Sequence, residues 1–362
     1  MSRLWEQRDC SWAPPVVEET VGPRGFGKCA ILVKRPEKDI TEDCFEYVTR
    51  PIPDTIADGE VLVQMLIFSM DPTHSMWMRD IVQYSPRVAL GNVMRSSGVG
   101  RVVKSSDESK LPVGSFVNTF AGLAEYLVLN IEKCTPVAPD CPLSWNLGPL
   151  FFGMEHTAWV GNKICAIKPG ETYVISGAAG AVGTIAGQLA KIAGARVIGI
   201  AGGADKCNML VNDLSFDGAV DYKKNDVEGQ LDLLCPNGID CYFDNVGGDI
   251  LDFVLARMNC FGRIAFCGAI STYSGDQKEG ECKGPKNYKM ILMRRLTIQG
   301  FLCRDHAASK KESEADIVKG IKEGKIQFKE DIRTGCVEDY VRTVNLLFNG
   351  GNTGKLMLKI AD

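Results

Sequence analysis

Seven residues, Gly177-Ala178-Ala179-Gly180-Ala181-Val182-Gly183, separate the apolar run Tyr173-Val174-Ile175 from a helical pattern over Thr184–Ala193. A glycine turn between a strand and a helix leaves free backbone N–H groups at the helix start, where the dipole favours negative charge. Gly180, Ala181, Val182 and Gly183 are therefore candidates to carry a pyrophosphate. The next strand, Arg196–Ala201, ends without an acid and runs into Gly202, Gly203 and Lys206. A carboxylate in that place binds a ribose 2′-hydroxyl, whereas positive charge suits a 2′-phosphate. These residues point to NADPH. Strict G-x-G-x-x-G is broken at one position, where Ala178 replaces the first glycine.

Other residue types with chemical reach lie at the ends of predicted strands. Asn245 follows Asp244 at the close of a strand, and Gly247 and Gly248 let a ligand approach the backbone closely. That placement predicts cofactor proximity for Asn245. Tyr273 sits in the run Gly268–Tyr273 after the next strand and is protonated at neutral pH, so it can donate a hydrogen bond. Tyr84 lies beyond Met70-Asp71-Pro72 in the first half of the chain. Asn352 falls in a turn before the last strand, with cofactor contact as a secondary role. His74 has no metal-type or triad-type partner and reads as a structural or surface histidine. Glu155 and His156 are neighbours on a predicted helix, where adjacent side chains do not face each other, so no acid/base pair is assigned.

These residues need elements to position them. The first half is β-rich, with strand candidates at Ala30–Lys34, Glu60–Phe68, Gly98–Lys104, Ser115–Thr119 and Ala124–Leu129. A helical stretch is predicted over Leu143–Ile167. Strands and helices then alternate through Leu302, the pattern of a doubly wound parallel sheet. Ala308–Glu323 and Glu338–Phe348 read as helices, and Lys355–Ile360 as a closing strand that returns to the first domain. The expected division is 1–148 with 325–362 as one domain and 149–324 as the other.

Length and charge bound the function. The 362 residues are enough for two cores, and a net charge of −4 supplies no basic field for nucleic acid. The first twenty residues lack the apolar core of a signal peptide, and no long uncharged apolar run suggests a membrane span. A cytoplasmic protein is expected. Fourteen cysteines include no Cys-x-x-Cys pair, so they read as reduced thiols rather than zinc ligands. No bound metal is expected.

Several runs together resemble the zinc-independent medium-chain dehydrogenase/reductases, in the branch of prostaglandin, alkenal double-bond and curcumin reductases. The runs are Met70-Asp71-Pro72, Leu90–Arg95, Ala178–Gly183, Asp240–Gly248, Gly268–Tyr273 and Asn352–Lys355. The resemblance implies an α/β protein with a GroES-like β-rich catalytic domain and a Rossmann domain. It further implies NADPH-dependent reduction of a carbon–carbon double bond conjugated to a carbonyl. By matching position, Lys206 and Tyr222 would hold the 2′-phosphate, Gly180 and Gly183 would lie under the pyrophosphate, and Asn245 and Asn352 would meet the cofactor. Tyr273 would face a small-molecule enone or enal, and two copies would join along Leu296–Leu302 as a homodimer. In such a reaction Tyr273 is the first candidate to stabilise the enolate oxygen, with Tyr84 or the cofactor ribose hydroxyl assisting. Where such relatives often carry tyrosine and arginine, this chain has Thr73 and Ser75. A quinone reductase and a catalytically silent NADPH-binding protein are the alternatives.

Overall fold

The computed structural model describes residues 19–20, 24–81, 83–137, 142–148, 153–273 and 284–362. The segment 1–24 therefore lies mostly outside the described residues; within it, Glu19–Thr20 pairs in parallel with Arg87–Val88.

Alternating apolar strands and helices give a six-stranded parallel sheet. We label its strands β1 (Thr172–Ser176), β2 (Arg196–Ala201), β3 (Gly218–Asp221), β4 (Ile239–Asp244), β5 (Met258–Phe266) and β6 (Thr297–Gly300). Their spatial order is β3-β2-β1-β4-β5-β6, so the chain reverses direction across the sheet between β1 and β4. β1 is buried at every residue, as expected of a central parallel strand covered on both faces. Tyr173 and Phe243 pack on one face, while Val174 and Tyr242 pack on the other. Burying an aliphatic or aromatic side chain of this size is worth about 1.5–3 kcal/mol, so these central strands form a rigid base.

The other sheet has ten strands, mostly antiparallel, drawn from both ends of the described chain. Arg24–Leu32, Glu60–Ser69, Arg95–Ser105, Phe116–Gly122 and Ala124–Asn130 form its centre. The last strand, Lys355–Lys359, pairs with Glu60–Ser69 and with Glu330–Thr334, as the expected return to the first domain requires. Strand ends differ from expectation by up to six residues, because Arg24–Leu32 starts at an exposed arginine that hydropathy alone passes over.

Two helices differ more. Leu143–Ile167 divides into a short turn at Leu143–Leu147 and helix α1, Met154–Cys165. Gly153, at φ 79°, takes a left-handed conformation that precludes one continuous helix. The helix that follows β2, expected over Asp205–Leu214 from the alternation of strands and helices, begins as Ala204–Asn208 and widens to i→i+5 hydrogen bonding over Met209–Asp213. Helix α2 (Ala181–Ile192) and helix α3 (Lys310–Lys322) complete the elements used below.

Candidate functional site

The glycine turn follows β1, and the Asp244–Gly248 turn follows β4, so both border the crevice where the sheet order reverses. Gly177 takes φ 60°, and this explains why Ala178 is tolerated: the left-handed residue lies one position earlier than the pattern requires. A side chain on Gly183 would begin 2.5 Å from the Gly177 carbonyl and 2.6 Å from the Ala178 Cα, so only glycine lets α2 pack this close. Gly180 caps α2 without a side chain, which leaves the first N–H groups of Ala181, Val182 and Gly183 open to an anion. The turn is braced from the other domain: the Gly354 N–H donates to the Ala179 carbonyl at 2.7 Å, and Gly180 and Gly354 form a parallel bridge.

Positive charge gathers at the end of β2. The Lys206 ammonium donates to the Gly350 carbonyl at 2.9 Å. The point from which a side chain on Gly350 would start lies 4.0 Å from Lys206 Nζ, 3.9 Å from Lys223 Nζ and 3.4 Å from the Tyr222 hydroxyl. Burial lowers the Lys206 pKa, and repulsion from Lys223 lowers it further, against a weaker pull from Asp331. Two like charges held this way are eased by a bound anion. Gly202 has a definite part here: a Cβ on it would strike the Tyr222 ring at 2.6 Å, so its absence of a side chain seats that ring. The nearby acid, Asp221, accepts from the Gly203 N–H at 2.7 Å and the Lys223 N–H at 3.1 Å. It is engaged with backbone. The composition of this cluster suits a phosphate and not a ribose hydroxyl pair. Together with the open helix start, it fits the phosphorylated dinucleotide that the sequence points to.

Asn245 donates its side-chain amide to the Ser176 carbonyl at 2.8 Å, which ties the ends of β1 and β4 together. Asn352, nearly buried, donates to the Gly354 carbonyl at 3.1 Å and holds its own turn. Asp244 was not assigned a role from sequence, yet it organises the site. Its Oδ1 accepts from the Val246 N–H at 3.0 Å, the Gly247 N–H at 2.8 Å, the Tyr242 hydroxyl at 2.9 Å and the Ser176 hydroxyl at 3.1 Å. Burial nevertheless raises its pKa. Lys223 is the other residue that the sequence reading missed. An acid before Asn-Val-Gly-Gly and a lysine beside Tyr222 were the available signals.

Tyr273 and Tyr84 lie near enough for their hydroxyls to influence one another. The Tyr273 hydroxyl accepts from the Ala269 N–H at 3.2 Å, leaving its own proton to donate. Burial raises the pKa of both phenols, and Tyr273 adds to the rise at Tyr84. Arg304 lies 5.3 Å from the Tyr84 ring centre and donates to the Tyr84 carbonyl at 2.6 Å. Both tyrosines therefore stay protonated at neutral pH.

His74 is fully buried, not at the surface, and its Nδ1 meets the Tyr340 hydroxyl at 3.1 Å. Beside it, Lys355 Nζ pairs with Asp71 Oδ1 at 2.6 Å, and the Ser69 hydroxyl contacts both. Burial pushes the Asp71 carboxyl up, but Lys355 and His74 outweigh it and the net shift is downward. Glu155 and His156 are both buried without meeting: His156 contacts the Ser313 hydroxyl at 2.8 Å, while the Glu155 carboxyl has no hydrogen-bond partner. A groove of about 540 Å³ among α1, α2 and α3 is lined by Trp159, Ile167, Leu189 and Lys319, and none of the predicted site residues borders it. Among the described residues, no three His, Cys, Asp or Glu side chains converge as metal ligands would.

Comparison with known proteins agrees with this architecture. Residues 28–137 match a family model described as the N-terminal domain of oxidoreductase, and residues 181–318 match one described as zinc-binding dehydrogenase. The chain is 36% identical to the NADPH-dependent curcumin reductase of Escherichia coli, over 91% of this chain and 96% of that protein. It is 36% identical to the NADP(+)-dependent 2-alkenal reductase of Nicotiana tabacum, over 84% of this chain and 88% of that protein. The crystal structure of CurA from Vibrio vulnificus in complex with NADPH superposes with a TM-score of 0.85 at 32% identity, covering 93% of this chain and 100% of that one. The chain belongs to the medium-chain dehydrogenase/reductases, in the zinc-independent branch of prostaglandin, curcumin and alkenal reductases.

Proposed function

We propose that this protein uses NADPH to reduce the carbon–carbon double bond of an α,β-unsaturated ketone or aldehyde. The observation that carries the cofactor choice is the convergence of Lys206, Lys223 and Tyr222 on one point, with the nearby acid Asp221 engaged by the backbone N–H groups of Gly203 and Lys223. The curcumin and alkenal reductases that the chain resembles support the reaction class. In this reading, residues 1–148 and 325–362 form the catalytic domain, and 149–324 hold the coenzyme.

Bound NADPH supplies the hydride that the β-carbon accepts. The residues of the chain do the rest. Gly180, Ala181, Val182 and Gly183 hold the pyrophosphate by backbone N–H groups, with Gly202 making room for Tyr222 beside the 2′-phosphate. Asn245 and Asn352 keep the two turns in place against the cofactor. As charge develops on the substrate carbonyl oxygen, the Tyr273 hydroxyl donates a hydrogen bond to it, with Tyr84 assisting; a placed donor of this kind is worth about 3–4 kcal/mol. The resulting enolate takes its α-proton from solvent.

β6 lies at the sheet edge and all its residues are exposed, as are Leu292 and Met293 just before it. An exposed strand edge beside apolar Ile298, Leu292 and Met293 favours strand addition, which supports a homodimer joined there. Among the described residues no helix is long and apolar enough to cross a membrane, and the cysteines are unpaired, in keeping with a cytoplasmic setting.

Product analysis with NADPH deuterated at the transferred position tests the reaction, over a panel of enals, enones and quinones. Deuterium at the β-carbon of a saturated product is the expected result. NADPH oxidation with quinones alone would favour a quinone reductase, and tight binding without oxidation would favour a silent protein.

A further inference from the structure

Ser75 is almost fully buried on the short helix Thr73–Met78, in the catalytic domain. Its hydroxyl stands between two partners from different parts of the molecule. Arg79 Nε donates to Ser75 Oγ at 3.1 Å, and Ser75 Oγ donates to the Tyr273 carbonyl at 2.8 Å. The direction is forced, because a guanidinium has no lone pair to accept the serine proton and a carbonyl has none to give. Arg79 is itself fixed: Nη1 donates to the Pro36 carbonyl at 2.9 Å and the Glu37 carbonyl at 3.0 Å, and Nη2 reaches the Lys38 carbonyl.

The other side of Tyr273 is tied to the Rossmann domain. Ile270 N–H donates to the Asn245 carbonyl at 3.2 Å, and Ser271 N–H to the Val246 carbonyl at 3.2 Å. The turn that carries Tyr273 is thus held from β4 at its start and from Ser75 at its end. We propose that Ser75 is a positioning residue for Tyr273, setting the height of the tyrosine over the crevice by a hydrogen bond between the two domains. Ser75 does not touch reacting atoms in this assignment. The proposal rests on the reading above, in which the Tyr273 hydroxyl meets the substrate carbonyl.

A double-mutant cycle with Tyr273→Phe tests it, using the full-length protein, NADPH and whichever enone the panel identifies as reduced. Ser75→Ala lowers kcat about tenfold, the effect of losing one net hydrogen bond, while the Kd for NADPH changes less than about twofold. In the Tyr273→Phe background, Ser75→Ala brings no further loss. Ser75→Thr, which keeps the donor, returns kcat toward wild type. Ser75→Cys keeps the volume with a weaker donor and gives a smaller loss, which covers the case in which Ser75→Ala does not fold. Equal losses from Ser75→Ala in both backgrounds would mean a general structural role and overturn the proposal. Wild-type kcat in Ser75→Ala beside a slow Tyr273→Phe would overturn it alone. Wild-type kcat in Tyr273→Phe would instead overturn the parent reading of Tyr273, and this proposal with it.

Discussion

Lys206 Nζ and the Gly350 carbonyl, 2.9 Å apart, join the end of β2 to the segment that leads into the last strand of the ten-stranded sheet. The same ammonium lies beside Lys223, and the pair awaits an anion. Lys206→Ala therefore raises the Kd for NADPH about 10- to 100-fold, the range for a charge-assisted hydrogen bond. Lys223→Ala raises it about fivefold, as a second and more exposed charge. Fluorescence titration reads both. The Kd for NADH moves little in either variant, and an equal loss for both coenzymes would count against the phosphate assignment.

Tyr273→Phe removes a donor without changing the ring. Turnover on a reduced enone falls about 100-fold, while the Kd for NADPH stays within about twofold. Stopped-flow measurement of NADPH oxidation separates the two. Tyr84→Phe gives a smaller loss, because Tyr84 is the more exposed of the two phenols.

Much of this site was legible from residue order. The end of β4 was legible at Asp244, because the Asn-Val-Gly-Gly turn that follows closes the strand Ile239–Asp244. The glycine turn, Lys206, Asn245 and Tyr273 each follow a strand, and a parallel sheet brings such ends to one edge. What stayed hidden depends on contacts distant in sequence. Nothing near Gly350 announces that it meets Lys206, and nothing near Ser75 announces Tyr273. His74 looked partnerless because Tyr340, its partner, lies 266 residues away. The division of Leu143–Ile167 is not visible in residue spacing, because only the φ of Gly153 reveals the break.

The buried pair of Lys355 and Asp71 tests packing rather than chemistry. Lys355→Met leaves the Asp71 carboxylate without its cation and destabilises the protein by about 3–5 kcal/mol. Replacing both, as Lys355→Met with Asp71→Leu, recovers most of that loss. Urea titration followed by tryptophan fluorescence measures each step. A single variant as stable as wild type would show that the pair contributes nothing.

Glu155 makes stability depend on pH. Burial lifts its carboxyl from an ordinary value near 4.5 to about 7, with Lys310 drawing it down and Glu314 pushing it up. Below about pH 4.5 the folded and unfolded chains both hold this proton. As pH rises the unfolded chain releases it first, so stability declines until the folded carboxyl ionises near pH 7. The span corresponds to about 3 kcal/mol. Glu155→Gln flattens that part of the curve, which melting temperatures between pH 5 and 8 will show. An unchanged slope would mean that the carboxyl is not held neutral.

Ile298→Glu places a charge in the middle of the exposed edge strand β6. If two copies pair there, sedimentation velocity shows monomer for the variant and dimer for the parent at the same concentration. A variant that still sediments as a dimer would place the contact elsewhere.

The bridge between Gly180 and Gly354 has a consequence for how the protein is made. The turn Gly177–Gly183 leaves the ribosome about midway through synthesis, but Gly354, which braces it, comes more than 170 residues later. The turn gains this brace only once residues past Gly354 have emerged. A gene fragment covering the Rossmann strands alone would encode a coenzyme domain whose turn lacks its outer support.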